Sequence, residues 1–262
     1  MKIAMVQMNI QLQNKKKNFS RMKEYIKNRE PVDLILFPEM SLTGFSMDEV
    51  ACLNEADEYH KQIKLLAKEE KVMIGYGWVQ NQNLDKLAEN HYVIIDENGV
   101  EIMDYTKIHP FSFAKENNHY QAGNQIALKK IKGFMCSIFI CYDLRFPEIF
   151  QAVSKKAEFI IIAANWPHER IEQWHALLIA RAIENQVYIA GINCVGTQNG
   201  NQYSGNTLLV HPSGKIIKEG QSHEEILYCE LINDVAKIRQ SFPVKQDRKE
   251  KFYIRLMNHN LE

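Results

Sequence analysis

Three residues of this chain combine a reactive side chain with an unusual setting. Cys141 closes the apolar run that begins at Gly133 and opens the segment Tyr142-Asp-Leu-Arg-Phe-Pro-Glu-Ile-Phe150. Where a strand turns into a helix, the residue at the elbow is pushed out of the sheet top. The backbone N–H groups of the following turn then point at whatever that side chain attacks. A thiol so placed is a nucleophile once a neighbour takes its proton. Glu39 ends the apolar run Leu34-Ile-Leu-Phe-Pro38, and Lys107 follows the strand-like Val100-Glu-Ile-Met-Asp-Tyr-Thr106.

Each of the three also has an ordinary reading. Free cysteine behaves as a small hydrophobe, and Cys136, five residues earlier in the same run, faces the other side of the sheet by the two-residue alternation. Cys136 therefore reads as core, as do Cys52, Cys194 and Cys229. Glu39 alone fits a helix N-cap carboxylate, and Lys107 alone a solvated lysine. Together they supply what acyl transfer needs: a thiol, a base and a donor for the tetrahedral oxyanion. Histidine is the usual base, but the histidines here lie at ordinary loop positions or ends, and only His109 and His168 are placed near the site. A carboxylate serves where burial makes it more basic. A Glu left at the end of an apolar run carries a desolvation cost that calls for a local reason.

The elements that must position these residues follow from hydrophobic patterning. Strand-length apolar runs recur at 2–8, 33–37, 72–79, 91–96, 100–105, 134–140, 158–164, 187–193, 206–210, 215–218 and 225–231. Amphipathic helical patterns cover about 15–29, 58–70, 146–154 and 169–185. Alternating strands and helices predict an α/β layered fold. The order strand–helix–strand–helix–strand–strand–strand occurs twice, over about 1–106 and 134–231, which predicts two similar halves making two sheets flanked by helices. No Pro/Gly/Ser-rich linker separates them, so 1–262 reads as one domain, with the charged tail from Ser241 available to pack on a partner subunit. The aperiodic stretch 107–125 is a long loop of the kind that carries function.

Composition narrows the classes. With 262 residues, 45% of them hydrophobic, the chain can bury a sizeable core. Thirty-two basic residues balance 32 acidic ones, so no overall field favours nucleic acid or an anionic membrane. The Lys15-Lys16-Lys17 run reads as a solvated helix start. Five cysteines without CxxC spacing argue against a disulfide framework or a zinc site and suit a reducing cytoplasm. No apolar run is long enough to span a bilayer, and the alternating N-terminus reads as a first strand rather than a signal peptide.

Three motifs in order give a resemblance: Leu36-Phe-Pro-Glu39-Met with Thr43-Gly44, Tyr105-Thr-Lys107-Ile-His-Pro-Phe, and Cys141-Tyr-Asp-Leu-Arg-Phe-Pro147-Glu. Over nearly its whole length the chain resembles the nitrilase superfamily of carbon–nitrogen hydrolases. The resemblance implies a four-layer αββα sandwich and a Glu–Lys–Cys triad, with Glu39 as general base, Lys107 as stabiliser and Cys141 as nucleophile. It implies that Glu116 helps position substrate and lysine, that the N–H of Tyr142 shares the oxyanion, and that no metal or organic cofactor is needed. It also implies assembly as a homodimer through helices beside the cysteine.

The segments Ala163-Ala-Asn-Trp166-Pro-His-Glu-Arg170 and Trp174-His-Ala-Leu-Leu-Ile-Ala-Arg181-Ala-Ile-Glu184-Asn185 are similar to the bacterial omega-amidase-like branch, as is the His119-Tyr120 pair; Pro110 departs from it. The substrate implied is a short dicarboxylic monoamide such as 2-oxoglutaramate. Its carboxylate needs a cationic or hydrogen-bonding clamp, for which Arg145, Arg170, His168 and Tyr120 are candidates, and Trp166 is placed to cap its aliphatic part. Arg145 alternatively pairs with Glu148 or Asp143, and Arg170 alternatively is a solvated helix start. Arg181, Glu184 and Asn185 read as a structural polar network, and Trp174, Leu177, Leu178 and Arg181 as a possible dimer face. A nitrilase or an N-carbamoyl amidohydrolase with the same triad is the rival within enzymes. A non-catalytic interaction module is the rival outside them.

Overall fold

The computed structural model describes residues 1–81 and 87–258. In chain order the first elements are β1 (Lys2–Gln7), α1 (Lys15–Lys27), β2 (Leu34–Leu36), α2 (Glu49–Leu53), α3 (Ala56–Glu70), β3 (Met73–Gln80), β4 (Glu89–Ile95), β5 (Glu101–Thr106) and β6 (Leu128–Ile131). There follow β7 (Phe134–Ile140), α4 (Pro147–Val153), β8 (Phe159–Ala163), α5 (Ile171–Asn185), β9 (Tyr188–Ile192), β10 (Val195–Gln198), β11 (Asn201–Ser204), β12 (Leu208–Val210), β13 (Ile216–Glu219), β14 (Glu225–Glu230), α6 (Val235–Ser241) and α7 (Glu250–Asn258).

The strands form two six-stranded sheets, ordered β14-β1-β2-β3-β4-β5 and β13-β12-β9-β8-β7-β6. In each, three central strands are parallel, β1 to β3 in one and β7 to β9 in the other. These strands are buried on both faces, which is why their runs read as continuous apolar stretches rather than alternation. Ile3, Met5, Leu34 and Leu36 face the second sheet, whereas Ala4, Val6 and Ile35 pack with Phe19, Met22 and Ile26 of α1 and Ile63, Leu66 and Ala67 of α3. Phe150 of α4 and Trp174 and Leu178 of α5 cover the second sheet. The layers are helix, sheet, sheet, helix: the αββα sandwich.

The twofold repeat is present with an exchange at its edges. β6 pairs antiparallel with β7, and β14 pairs antiparallel with β1. Taken as β1–β6 and β7–β14, each half gives its closing strand to the sheet of the other, so the run 225–231, which lies with the second half in sequence, belongs to the first sheet. β6 and the β10–β11 hairpin were not among the expected strands.

The helices start where local chemistry allows. The Asn14 side chain accepts the Lys17 N–H at the start of α1, and Pro147 occupies the first turn of α4, where no donor is required. The lysine run does open α1, but Lys15 is buried and donates to the Ala51 carbonyl, so only Lys16 and Lys17 are solvated. Trp174, Leu178 and Arg181 are buried within the chain and cannot form a dimer face, whereas Leu177 is half-buried. Arg181 instead pairs with Glu184 at 2.9 Å and donates to Leu144 O, and the Asn185 amide donates to Arg181 O, the expected structural network. No helix among the described residues is long and apolar enough to cross a membrane.

Candidate active site

The elbow after β7 is strained. Cys141 has φ +45°, a left-handed conformation that costs a non-glycine residue about 1–3 kcal/mol unless its surroundings over-determine it. Those surroundings centre on Asp143, which is fully buried in the short turn Cys141–Arg145. One Asp143 oxygen accepts the Ile140 N–H at 3.0 Å and the Tyr105 hydroxyl at 2.8 Å. The other accepts the His109 N–H at 3.0 Å and lies 2.7 Å from His109 Nδ1. His109 in turn stacks on Phe146. Asp143 thus ties the cysteine elbow to the start of the lysine loop. Arg145 does not pair with it; Arg145 donates to Gln173 at 2.6 Å and lies over the Trp166 ring.

Lys107 follows β5 and is buried to 1% exposure. Its ammonium lies 2.9 Å from Glu39 Oε1 and 2.9 Å from Glu116 Oε2. Glu39 sits in the turn after β2, not at a helix N-cap, and both it and Glu116 are wholly buried. An ion pair removed from water is tolerable only with further hydrogen bonds to the remaining lone pairs. They are present. The Asn90 side-chain amide donates to Glu39 Oε1 at 2.8 Å and to Glu116 Oε1 at 3.1 Å. The Asn165 N–H donates to Glu39 Oε2 at 2.9 Å, and the Phe111 N–H to Glu116 Oε2 at 2.6 Å. The Asn165 side chain donates to the Glu39 carbonyl, pinning the backbone as well.

Charge follows from this enclosure. Burial works against the Lys107 ammonium, but Glu116 and then Glu39 outweigh it and hold its pKa above the ordinary lysine value. Burial, followed by the negative charge of Glu39, pushes the Cys141 thiol well above its usual value, while Lys107 pulls the other way. Enclosure therefore favours the protonated sulfur, and the carboxylate that favours it is Glu39. Glu39 has about four lone-pair positions; Lys107, Asn90 and Asn165 take three of them.

Cys141 lines a cavity of about 150 Å³, together with Tyr142, Arg145, Asn165, Trp166 and Arg170. Phe45, Phe111, Phe113 and Tyr203 supply most of its remaining wall. Arg170 lies over both Phe111 and Phe113 and is only partly solvated. Of the residues expected here, two fall elsewhere. His168 is exposed and outside the cavity lining. Tyr120 is buried, donates to the Ser46 carbonyl at 2.7 Å and anchors the lysine loop instead of facing substrate. Cys52, Cys136 and Cys194 are buried, Cys229 is half-buried, and all four are free, in line with their reading as core. Asn90, Asp143 and Tyr203 escaped the sequence reading.

Residues 2–240 match the model of the carbon-nitrogen hydrolase family. Among curated relatives, the 2-oxoglutaramate amidase of Bacillus subtilis (strain 168) is 32% identical over 256 residues, covering 96% of this chain and 98% of that protein. The omega-amidase YafV of Escherichia coli (strain K12) is 33% identical over 237 residues, 89% of this chain and 90% of that one. Among solved structures, a mutant of the amidase from Nesterenkonia sp. AN1, carrying the acetamide moiety of fluoroacetamide on its active-site cysteine, superposes with a TM-score of 0.89 at 19% identity, covering 98% of this chain and 96% of that one. With the αββα sandwich, the family match and relatives spanning almost its full length, the chain belongs to the carbon-nitrogen hydrolase family.

Proposed function

We propose that the protein hydrolyses the terminal amide of a short dicarboxylic monoamide, of which 2-oxoglutaramate is the type, through Glu39, Lys107 and Cys141. The observation that carries this is the closed arrangement of Lys107 between two buried carboxylates beside a half-buried thiol at a cavity wall. Glu39 takes the proton of Cys141, and the thiolate attacks the amide carbon. Lys107 and the N–H of Tyr142 hold the oxyanion; losing one such donor typically costs about 2.7–4 kcal/mol of barrier. The proton returns through Glu39 to the leaving nitrogen, ammonia departs and a thioester remains. Water, deprotonated by Glu39, attacks the thioester; the acid leaves and the thiol is restored. Glu116 holds Lys107 from the other side. Arg145 and Arg170 are the cations in the cavity wall for the distal carboxylate, and Trp166 is the wall for its methylenes.

The chain works as one domain, in a reducing cytoplasm, as a homodimer. The crossed edge strands support the single domain, and the free cysteines support the compartment. The dimer is supported by α7, none of whose residues is buried and which exposes Phe252, Ile254 and Met257.

The test is ammonia release from 2-oxoglutaramate, succinamate, an aliphatic nitrile and an N-carbamoyl amino acid, with Cys141→Ala and Glu39→Gln as controls. Fast release from the first two, lost in both variants, is the expected result. Turnover of only the nitrile or the carbamoyl compound would keep the triad and replace the substrate, and near-normal rates in either variant would overturn the triad.

A further inference from the structure

Asn90 occupies a position for which the triad alone gives no reason. It lies on β4 at 1% exposure, and its backbone carbonyl accepts the Lys107 N–H at 2.9 Å. Its side-chain nitrogen is shared by the two carboxylates, 2.8 Å from Glu39 Oε1 and 3.1 Å from Glu116 Oε1. The same two oxygens lie 2.9 and 3.1 Å from Lys107 Nζ. The four groups form a ring in which ammonium and amide alternate with the carboxylates. The other end of the amide, Oδ1, is buried without a hydrogen-bond partner. An unpaired buried acceptor is costly, and turning the amide over would place Oδ1 against two carboxylates, which is worse. The orientation is therefore set by the carboxylates, at the expense of the oxygen.

Two carboxylates and one ammonium leave an excess negative charge in a site without bulk water. One cation cannot fully compensate both, and like charges this close repel. We propose that Asn90 is a positioning residue that holds Glu39 and Glu116 together around Lys107, so that Glu39 stays aimed as the base while Glu116 holds the lysine. This rests on the triad reading above. Asn90 touches neither the thiol nor the cavity; it acts through the two carboxylates. The titratable groups facing Glu39 are Lys107 and Glu116 from the loop after β5, Cys141 after β7, Cys194 after β9 and Tyr203 on β11. Of these, only Lys107 carries positive charge.

The experiment is the pH dependence of Cys141 alkylation by iodoacetamide, read by mass spectrometry on the peptide carrying Cys141, beside kcat/KM on the best amide. It compares the parent chain, Asn90→Leu, which keeps the shape without donors, and Asn90→Asp, which keeps volume but adds a third carboxylate. Loss of the donor leaves the two carboxylates less compensated, so the acid limb of both profiles moves up by about one pH unit in Asn90→Leu. The limb moves further in Asn90→Asp, while KM changes less than kcat. A folded Asn90→Leu with an unmoved acid limb overturns the proposal. Should that variant not fold, an unmoved limb in Asn90→Asp does the same. Glu39→Gln separates the two levels: if it leaves the parent's alkylation profile unchanged, the triad reading fails; if it flattens the profile and the Asn90 variants do not shift it, only the role of Asn90 fails.

Discussion

On β4, Asn90 turns its amide to the carboxylates of the site, and His91, one residue on, faces the other side of the sheet. The His91 ring is 2% exposed, with Nδ1 2.6 Å from Asp104 and Nε2 3.1 Å from Glu89. Glu101 is the next charge on that face. Burial opposes a charge on the ring, but the Asp104 and Glu89 contacts outweigh it, and the pKa lies above the ordinary 6.5. A raised folded-state value means that the native protein holds the proton more tightly than the unfolded chain. The resulting stabilisation is complete below pH 6.5 and is lost as pH rises through the folded value. In urea unfolding, the stability gap between parent and His91→Phe should be widest near about pH 5.5 and shrink by about pH 9. A gap that is flat, or that grows with pH, would show that His91 is neutral in the fold. Glu39, Lys107 and Cys141 were legible because each sits in a local motif. Asn90 and Asp143 were not, because their meaning lies in contacts 51 and 34 residues away in sequence, and an Asn in a strand or an Asp after a cysteine has no local pattern that announces a distant partner.

The element that sets Glu39 is β3 as much as β2. Gly77 on β3 lies against the Glu39 turn: its carbonyl accepts the Ser41 N–H at 2.9 Å, and its N–H reaches Ser41 Oγ at 3.3 Å. A Cβ at Gly77 would overlap the backbone nitrogen of Met40 and come to 2.8 Å from Glu39 Cα. Neither atom belongs to a flexible side chain, so the turn would have to move. Overpacking of this kind costs about 1–3 kcal/mol, or a Tm loss of about 2–12 °C for a chain of this size. Gly77→Ala should therefore lower Tm by that amount and kcat/KM by at least about tenfold, since a shift below 1 Å at a base degrades the attack geometry. Thermal melts and amide kinetics check both; a parent-like rate would show that the turn is held from elsewhere. The central strands were legible for the same reason that they are central, since burial on both faces leaves an unbroken apolar run. β6 was not, because Leu128-Lys-Lys-Ile131 is an edge strand with two exposed lysines, and charged edges are how sheets avoid further pairing. The apolar run of β14 was visible in the sequence. Its partner was not, because no local feature says that it pairs with β1 rather than with its neighbour β13.

At the scale of the molecule, the two crossed strands lock the halves together, and the chain beyond α6 stands apart from that lock. α6 is docked: Val235 is fully buried, Arg239 donates to the Ala157 carbonyl at 2.7 Å, and the Phe242 carbonyl accepts from Gln186. Lys245 still reaches the α4–α5 layer, bonded to Ser154 and Asn185. α7 is different. Among the described ion pairs, its tie to the body is the exposed Lys155–Glu250 pair, of a kind that contributes little, and Phe252, Ile254, Leu256 and Met257 are 36–71% exposed. A helix with this much uncovered apolar surface gains little from its own chain, so its stabilisation is expected from the partner in the proposed homodimer. Ending the chain after Arg248 leaves these hydrogen bonds of α6, Phe242 and Lys245 in place. The shortened chain should keep its melting temperature as a monomer within a few degrees, while its dimer dissociation constant, measured by sedimentation equilibrium, rises at least about tenfold, or about 1.4 kcal/mol. Because Trp174, Leu178 and Arg181 are spent inside the chain, α5 cannot make good that loss through them. A truncated protein that dimerises as tightly as the parent would move the interface away from α7, and a parent that is monomeric throughout would remove the dimer itself.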